Sequence, residues 1–120
     1  MVDAKVDQTG NVLRVCYSGR VTAEEVRRGA EELPDLLAKL RPGYRLLADL
    51  SALEEMDLDC VPHLNRMMDL CDTAGVALVA RVIPDPHKDI GLNIMSLFHY
   101  HKRVRIVTCR TLREAEKLLA

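Results

Sequence analysis

Four carboxylates crowd into six residues, Glu54, Glu55, Asp57 and Asp59, within the stretch Ser51-Ala52-Leu53-Glu54-Glu55-Met56-Asp57-Leu58-Asp59. Acids at that density can cap a helix, ligate a divalent cation, or present negative charge to a basic partner. The Asp57-x-Asp59 pair offers hard oxygen ligands, but no glycine-containing loop beside it resembles a calcium hand, so metal is set aside. Capping is the plainest role. Asp57 or Asp59 stands just before a helical pattern, where the helix dipole favours a negative charge. The third role makes Ser51 to Asp59 an acidic recognition loop read by Arg or Lys of another protein.

The other chemistry-bearing residues are more scattered. His63 falls one turn into the following helix, but spacing fixes no Ser, Cys or carboxylate partner for it, so a surface histidine is expected. His99 and His101 flank Tyr100, and on a helix that separation puts them on different faces, near a C-terminus rather than on a metal. Cys16, Cys60, Cys71 and Cys109 form no C-x-x-C pair, and three lie in apolar runs, which reads as buried cytosolic thiols. Cys60 follows Asp59 and could feel a helix N-terminus, which lowers a thiol pKa, although simple burial is the commoner case. No G-x-G-x-x-G, Walker or G-x-S-x-G motif occurs, and no nucleophile–base–orienter set can be assembled. Neither an enzyme nor a cofactor is expected.

The elements that must position these residues follow from patterning. The first twenty residues read as two strands around Gln8-Thr9-Gly10-Asn11, with Asn11 to Tyr17 β-branched and apolar. Thr22-Ala23-Glu24-Glu25 is a capping box, followed by Val26, Ala30, Leu33, Leu37 and Leu40 at helical spacing. Pro34 is expected to kink or split that helix, because it lacks an amide donor. Tyr44 to Leu50 predicts a short strand covered on both faces, and Asp59 a cap for a second helix bearing Val61, Leu64, Met68 and Cys71. Val76 to Ile83 is the clearest strand. Asp85-Pro86 opens a third helix with Ile90, Ile94, Leu97 and Phe98 as its stripe, then Arg103 to Cys109 a last strand, and Thr111 to Glu114 caps a terminal helix. Such alternation means one α/β domain over residues 1–120, with a mixed, mostly parallel sheet of about five strands and four helices.

Composition narrows the class without naming a function. The 120 residues are 48% apolar and 29% charged, enough for a core without disulfides or metal. A net charge of −1 gives no global reason to bind nucleic acid or an anionic membrane, and no apolar run approaches a membrane span. The polar start MVDAKVDQTG does not read as a signal peptide, so a cytoplasmic protein is expected. Charge is uneven, however. Asp49 to Asp72 holds seven acids against Arg66 alone, whereas Lys102 to Ala120 holds six bases and two acids. That polarity could steer a partner or favour head-to-tail self-association.

Asp49-Leu50-Ser51, followed by Asp57-Leu58-Asp59-Cys60, resembles the signature region of STAS domains, the anti-sigma-factor-antagonist fold. Those proteins read as a strand ending in Asp-Leu-Ser, then Asp-Ser-Ser-Gly at the start of a helix. Gly75, the Val76 to Ile83 strand and the helix-strand-helix ending fit the same order, so the likeness covers about residues 10 to 119. It implies a mixed sheet with helices and a non-catalytic binding role, members engaging an anti-sigma-factor kinase, forming larger signalling assemblies or serving as cytoplasmic domains of anion transporters. Carried over by position, Asp57 matches the family Asp, Leu58 the first Ser, Asp59 the phospho-acceptor Ser and Cys60 the Gly. A carboxylate cannot take up phosphate as a hydroxyl does, and Asp59 carries about one charge where phosphoserine carries about 1.5 to 2. The resemblance therefore implies either a permanently phosphorylated-like state or a branch with another partner, with Ser51 as a remaining hydroxyl.

The leading expectation is a small cytoplasmic interaction module. Its contact residues are Ser51, Glu54, Glu55, Asp57, Leu58, Asp59, Cys60 and His63, and its partner is another protein, with homo-oligomers allowed. The alternative is a nucleotide or lipid carrier with Met56, Met67, Met68 and Met95 lining an apolar pocket.

Overall fold

The structure is a computed structural model that describes residues 1–84, 100, 101 and 103–120. The elements are β1 (Val2–Asp7), β2 (Val12–Val21), α1 (Ala23–Leu37), β3 (Arg45–Met56), a 3-10 turn (Leu58–Cys60), α2 (Val61–Thr73), β4 (Leu78–Val82), β5 (Arg105–Cys109) and α3 (Leu112–Leu119). One sheet has the order β1-β2-β3-β4-β5, with β1 antiparallel to β2 and each later neighbour parallel. This is the mixed, mostly parallel sheet expected. Three α-helices lie among the described residues. The helix expected from Asp85, with its stripe at Ile90, Ile94, Leu97 and Phe98, falls outside them, as does His99.

Local chemistry explains the early elements. The β1–β2 turn places Asn11 at φ 55, a left-handed conformation that Asn tolerates, and the Gly10 amide donates to Asp7 Oδ1 at 3.1 Å. At α1 the capping box closes both ways, with the Glu25 amide donating to Thr22 Oγ1 and the Thr22 amide to Glu25 Oε1. Pro34 does not split this helix, one of the two outcomes expected of it. It sits in the last turn, its own carbonyl accepts from the Ala38 amide at 3.0 Å, and only one amide donor is lost. The helix instead stops at Leu37, short of Leu40.

Strand order decides which face each helix covers. Successive parallel strands step toward the same edge, so right-handed crossovers place α1 and α2 on one face. There Leu13, Val15, Leu46, Leu50 and Val79 meet Val26, Leu33, Leu64 and Met68 in the main core. The opposite face is covered by α3, where Ala115 and Leu119 pack on Val12, Leu47, Ala80, Val82 and Cys109. Arg14 holds this helix through a two-pronged ion pair with Glu116, at 2.5 and 2.9 Å, and Arg45 donates to the Leu119 and Gly10 carbonyls. Because α3 is only 8 residues long, it covers only part of that face among the described residues. Asp3, Cys16 and Ser51 stand exposed there. Cys16 is thus not a buried thiol, whereas Cys60, Cys71 and Cys109 are.

The amino ends of β3 and β4 are tied together. Tyr44 is fully buried and its hydroxyl donates to the Cys71 carbonyl at 2.6 Å. Beside it the Gly43 amide donates to the Gly75 carbonyl at 2.7 Å.

A candidate contact site on an overhanging strand

The stretch expected to be an acidic loop is strand. β3 pairs with β4 only from Arg45 to Asp49, but stays paired with β2 as far as Met56. Its second half therefore projects past the sheet as a two-stranded ribbon. Register shows why the pattern misled. Cys16 pairs with Asp49 and Ser18 with Ala52, then Gly19 with Leu53 and Arg20 with Glu55. Each shift inserts one extra residue into β3, a β-bulge. Leu50, Leu53 and Met56 are consequently buried at intervals of three, which matches neither the strand period nor the helical one. The residues between them, Ser51-Ala52 and Glu54-Glu55, face outward in pairs.

The 3-10 turn crowns this ribbon. Backbone bonds pin it: the Asp57 amide donates to the Val21 carbonyl at 3.1 Å, and the Cys60 amide to the Asp57 carbonyl at 3.0 Å. Asp57 does not cap the turn with its side chain. Its carboxylate accepts from Arg20 Nε and Nη2 at 3.3 and 3.2 Å. Asp59 is exposed within the turn rather than capping α2, whose N-cap residue is Cys60 and which begins Val61-Pro62. Proline early in the helix needs no amide partner, so the missing cap costs little. Cys60 is fully buried, with its thiol near the Val21 carbonyl, and burial pushes the thiol pKa up rather than down. Leu58, in contrast, is 81% exposed. A large apolar side chain is thus exposed between Asp57 and Asp59, just after the exposed Glu54 and Glu55 in the chain.

Other sequence candidates are held elsewhere. His63 is half-buried in an open cleft of about 270 Å³ between α1 and α2, with Arg27, Ala30, Glu31 and Arg66. Ser51 lies on the sheet face that α3 partly covers, where its hydroxyl donates to Asp49 Oδ1 at 2.6 Å and its amide to the same oxygen at 2.9 Å. Cys16 joins this group, its thiol 3.8 Å from Asp49 Oδ2. Partial burial and the Asp49 carboxylate both push the Cys16 pKa up, which leaves the thiol protonated and a poor nucleophile at neutral pH. His101 is not helical; its ring Nδ1 accepts from the Arg103 amide. Among the described residues, no three His, Cys, Asp or Glu side chains gather to hold a metal. Arg20 was missed from the sequence, because its pairing with Asp57 depends on the bulged register of two parallel strands.

An apolar cavity lies between the sheet and α2, lined by Tyr17, Leu46, Met67, Met68, Arg81 and Tyr100 among others. Its volume is about 50 Å³. That is room for a water or two, whereas ligand pockets run to about 300 Å³ or more. Met67 and Met68 line it as core residues, Met56 packs in the core beyond it, and Met95 lies outside the described residues. No helix among the described residues is long and apolar enough to cross a membrane.

The sheet order, the helix faces and the turn leading into α2 together define the fold of the SpoIIAA-like anti-sigma factor antagonists. The chain is similar over its full length to a Shewanella loihica protein of the DUF3478 family with a SpoIIAA-like fold, with a TM-score of 0.73, 16% identity and 93% of that chain covered. Over all of both chains it is similar to the Bacillus cell fate determinant SpoIIAA in its phosphorylated form, at a TM-score of 0.65 and 14% identity. An anti-sigma factor antagonist from Mycobacterium paratuberculosis matches at a TM-score of 0.59 and 17% identity, over 99% of this chain and 92% of that one. No protein-family model matches the sequence, and no curated protein does.

Proposed function

We propose that this protein is a non-catalytic regulatory module of the cytoplasm, and that it binds another protein through the tip of the β2–β3 ribbon. The observation that carries the reading is Leu58, an 81% exposed leucine held on a backbone-pinned turn among four carboxylates. At such a contact the leucine would supply burial and the acids would select a basic partner. The likeness to anti-sigma factor antagonists supports a protein as the partner, and an anti-sigma-factor-like kinase or a signalling-complex component is the class to seek first. Asp59, at the position where the resemblance puts the phospho-acceptor Ser, keeps its charge without a kinase. A carboxylate does not take up phosphate as a hydroxyl does, so binding is not switched by a kinase at that position.

Burying a leucine is worth about 1.5 to 3 kcal/mol, so Leu58→Asp should weaken a contact centred there by about tenfold or more. The test is a pull-down from lysate with wild-type, Leu58→Asp and Asp59→Lys baits. A protein retained by wild type, lost from both variants and released by about 1 M salt, where the screening length is about 3 Å, supports the reading. Equal retention by all three baits refutes it.

A further inference from the structure

Besides Met1, the large apolar side chains exposed among the described residues are Leu58 and Leu112. Their surroundings are opposite in sign. Leu58 stands between Asp57 and Asp59 with Glu54 and Glu55 behind it, whereas Leu112 stands between Arg110 and Arg113, both exposed. Asp57 is engaged by Arg20, which leaves Glu54, Glu55 and Asp59 facing outward. No ion pair engages Arg110 or Arg113 among the described residues.

The two leucines also share one end of the molecule. β3 and β5 both run parallel to β4, and the turn bearing Leu58 follows β3 as Leu112 follows β5. The ribbon carries Leu58 beyond the sheet, while β4 pairs with β5 no further than Cys109. Leu112 therefore sits lower, two strands across the sheet from the projection. A tip and a lower shoulder of opposite charge on one end can be satisfied reciprocally by two copies related by a two-fold axis.

We infer that the partner for the acidic Leu58 tip is a second copy of this chain, whose basic Leu112 shoulder receives it. This deepens the contact-surface reading above and rests on it. Burial of two leucine contacts per pair supplies the attraction, and the carboxylate–guanidinium rims set orientation and salt dependence. A copy in the wrong register would place acids against acids, a penalty that selects the tip-to-shoulder arrangement.

Sedimentation of the full chain over a wide concentration range, at low and high salt, tests this. The expected result is a mass that rises above 13.5 kDa with concentration at low salt and returns toward it at high salt. Leu58→Asp and Leu112→Asp should each weaken association by about tenfold or more. Asp59→Arg or Arg113→Asp alone should also weaken it, and both together in one chain should restore it. All four positions are exposed, and thermal melts of the variants are to be run alongside to check that they fold. A wild-type chain that stays at 13.5 kDa throughout overturns the proposal, as does association indifferent to Leu58→Asp and Leu112→Asp. The broader reading fails separately. A monomeric wild type that still captures a lysate protein lost by Leu58→Asp removes self-association but keeps the contact surface. Capture unaffected by Leu58→Asp removes the contact surface itself.

Discussion

Gly43 and Gly75 form a matched pair for separating backbone strain from steric contact. Both hold left-handed backbone, at φ 90 and φ 93, and the amide of one donates to the carbonyl of the other. They differ in what a methyl group would meet. At Gly43 nothing lies within 4 Å, whereas at Gly75 a Cβ would lie 3.1 Å from Pro42 Cβ and 3.2 Å from its Cα. Carbon pairs prefer about 3.5 to 4.0 Å, and the obstructing atoms belong to a proline ring and backbone that cannot swing aside. Gly43→Ala should therefore cost about 1 kcal/mol, the strain of a non-glycine residue at positive φ less its smaller unfolded-state entropy. Gly75→Ala carries the same strain plus about 1 kcal/mol or more of overpacking. In melting temperature these correspond to losses of about 4 °C and about 8 °C or more. Urea unfolding is the assay, since a lower midpoint at constant slope isolates stability from changes in compactness. Both sites lie at the amino ends of β3 and β4, opposite the Leu58 tip, so any partner binding should persist in both variants. Equal losses at the two positions, or a greater loss at Gly43, would refute the steric argument.

Three further outcomes follow from the same geometry. Tyr44→Phe removes the buried hydroxyl that donates to the Cys71 carbonyl and should cost about 1 kcal/mol by denaturant unfolding, the Val76 amide still serving that carbonyl. Arg14 holds the Glu116 carboxyl below its ordinary value, so the unfolded chain binds the extra proton and stability rises with pH through that window. Both side chains are over a third exposed, so Glu116→Gln should cost under about 1 kcal/mol near pH 7. The deficit should vanish in unfolding titrations as pH falls from about 4.5 through the folded carboxyl's lower value. Maleimide labelling of native protein should modify Cys16 alone, slowly at neutral pH and faster as pH rises toward its elevated pKa, while the three buried thiols react only on unfolding.

Much of the architecture is decided by short-range chemistry and is legible without coordinates. Thr22 and Glu25 cap α1 reciprocally because both groups lie within one turn of chain, and Thr111 likewise accepts from the Glu114 amide at the start of α3. The apolar spacing of Val26, Ala30, Leu33 and Leu37 forms a buried stripe for the same local reason. Alternation of strands and helices then restricts the topology to a mostly parallel sheet. Even the Asp-Leu-Ser and Asp-Leu-Asp-Cys segments point to the fold that the solved structures share.

What tertiary structure alone decided is the form of the candidate site. The bulges in β3 exist because β2 offers fewer residues over the same span, a fact about pairing between segments some thirty residues apart. They turn an apparent acidic loop into an overhanging strand, bury Leu53 and Met56, and leave Glu54 and Glu55 outward. The same register gives Asp57 to Arg20 instead of to a helix cap. Strand order places α1 and α2 on one face while the short α3 packs on part of the other, which is why Cys16 is exposed while Cys60 is buried. Periodicity records which residues want to be buried along one element; it carries no record of how a neighbouring strand shifts that element's phase, or how far a helix reaches across a sheet. Leu58 reads as an ordinary apolar residue in the chain and becomes the most exposed large hydrophobic side chain among the described residues only when that shifted strand lifts it clear of the core.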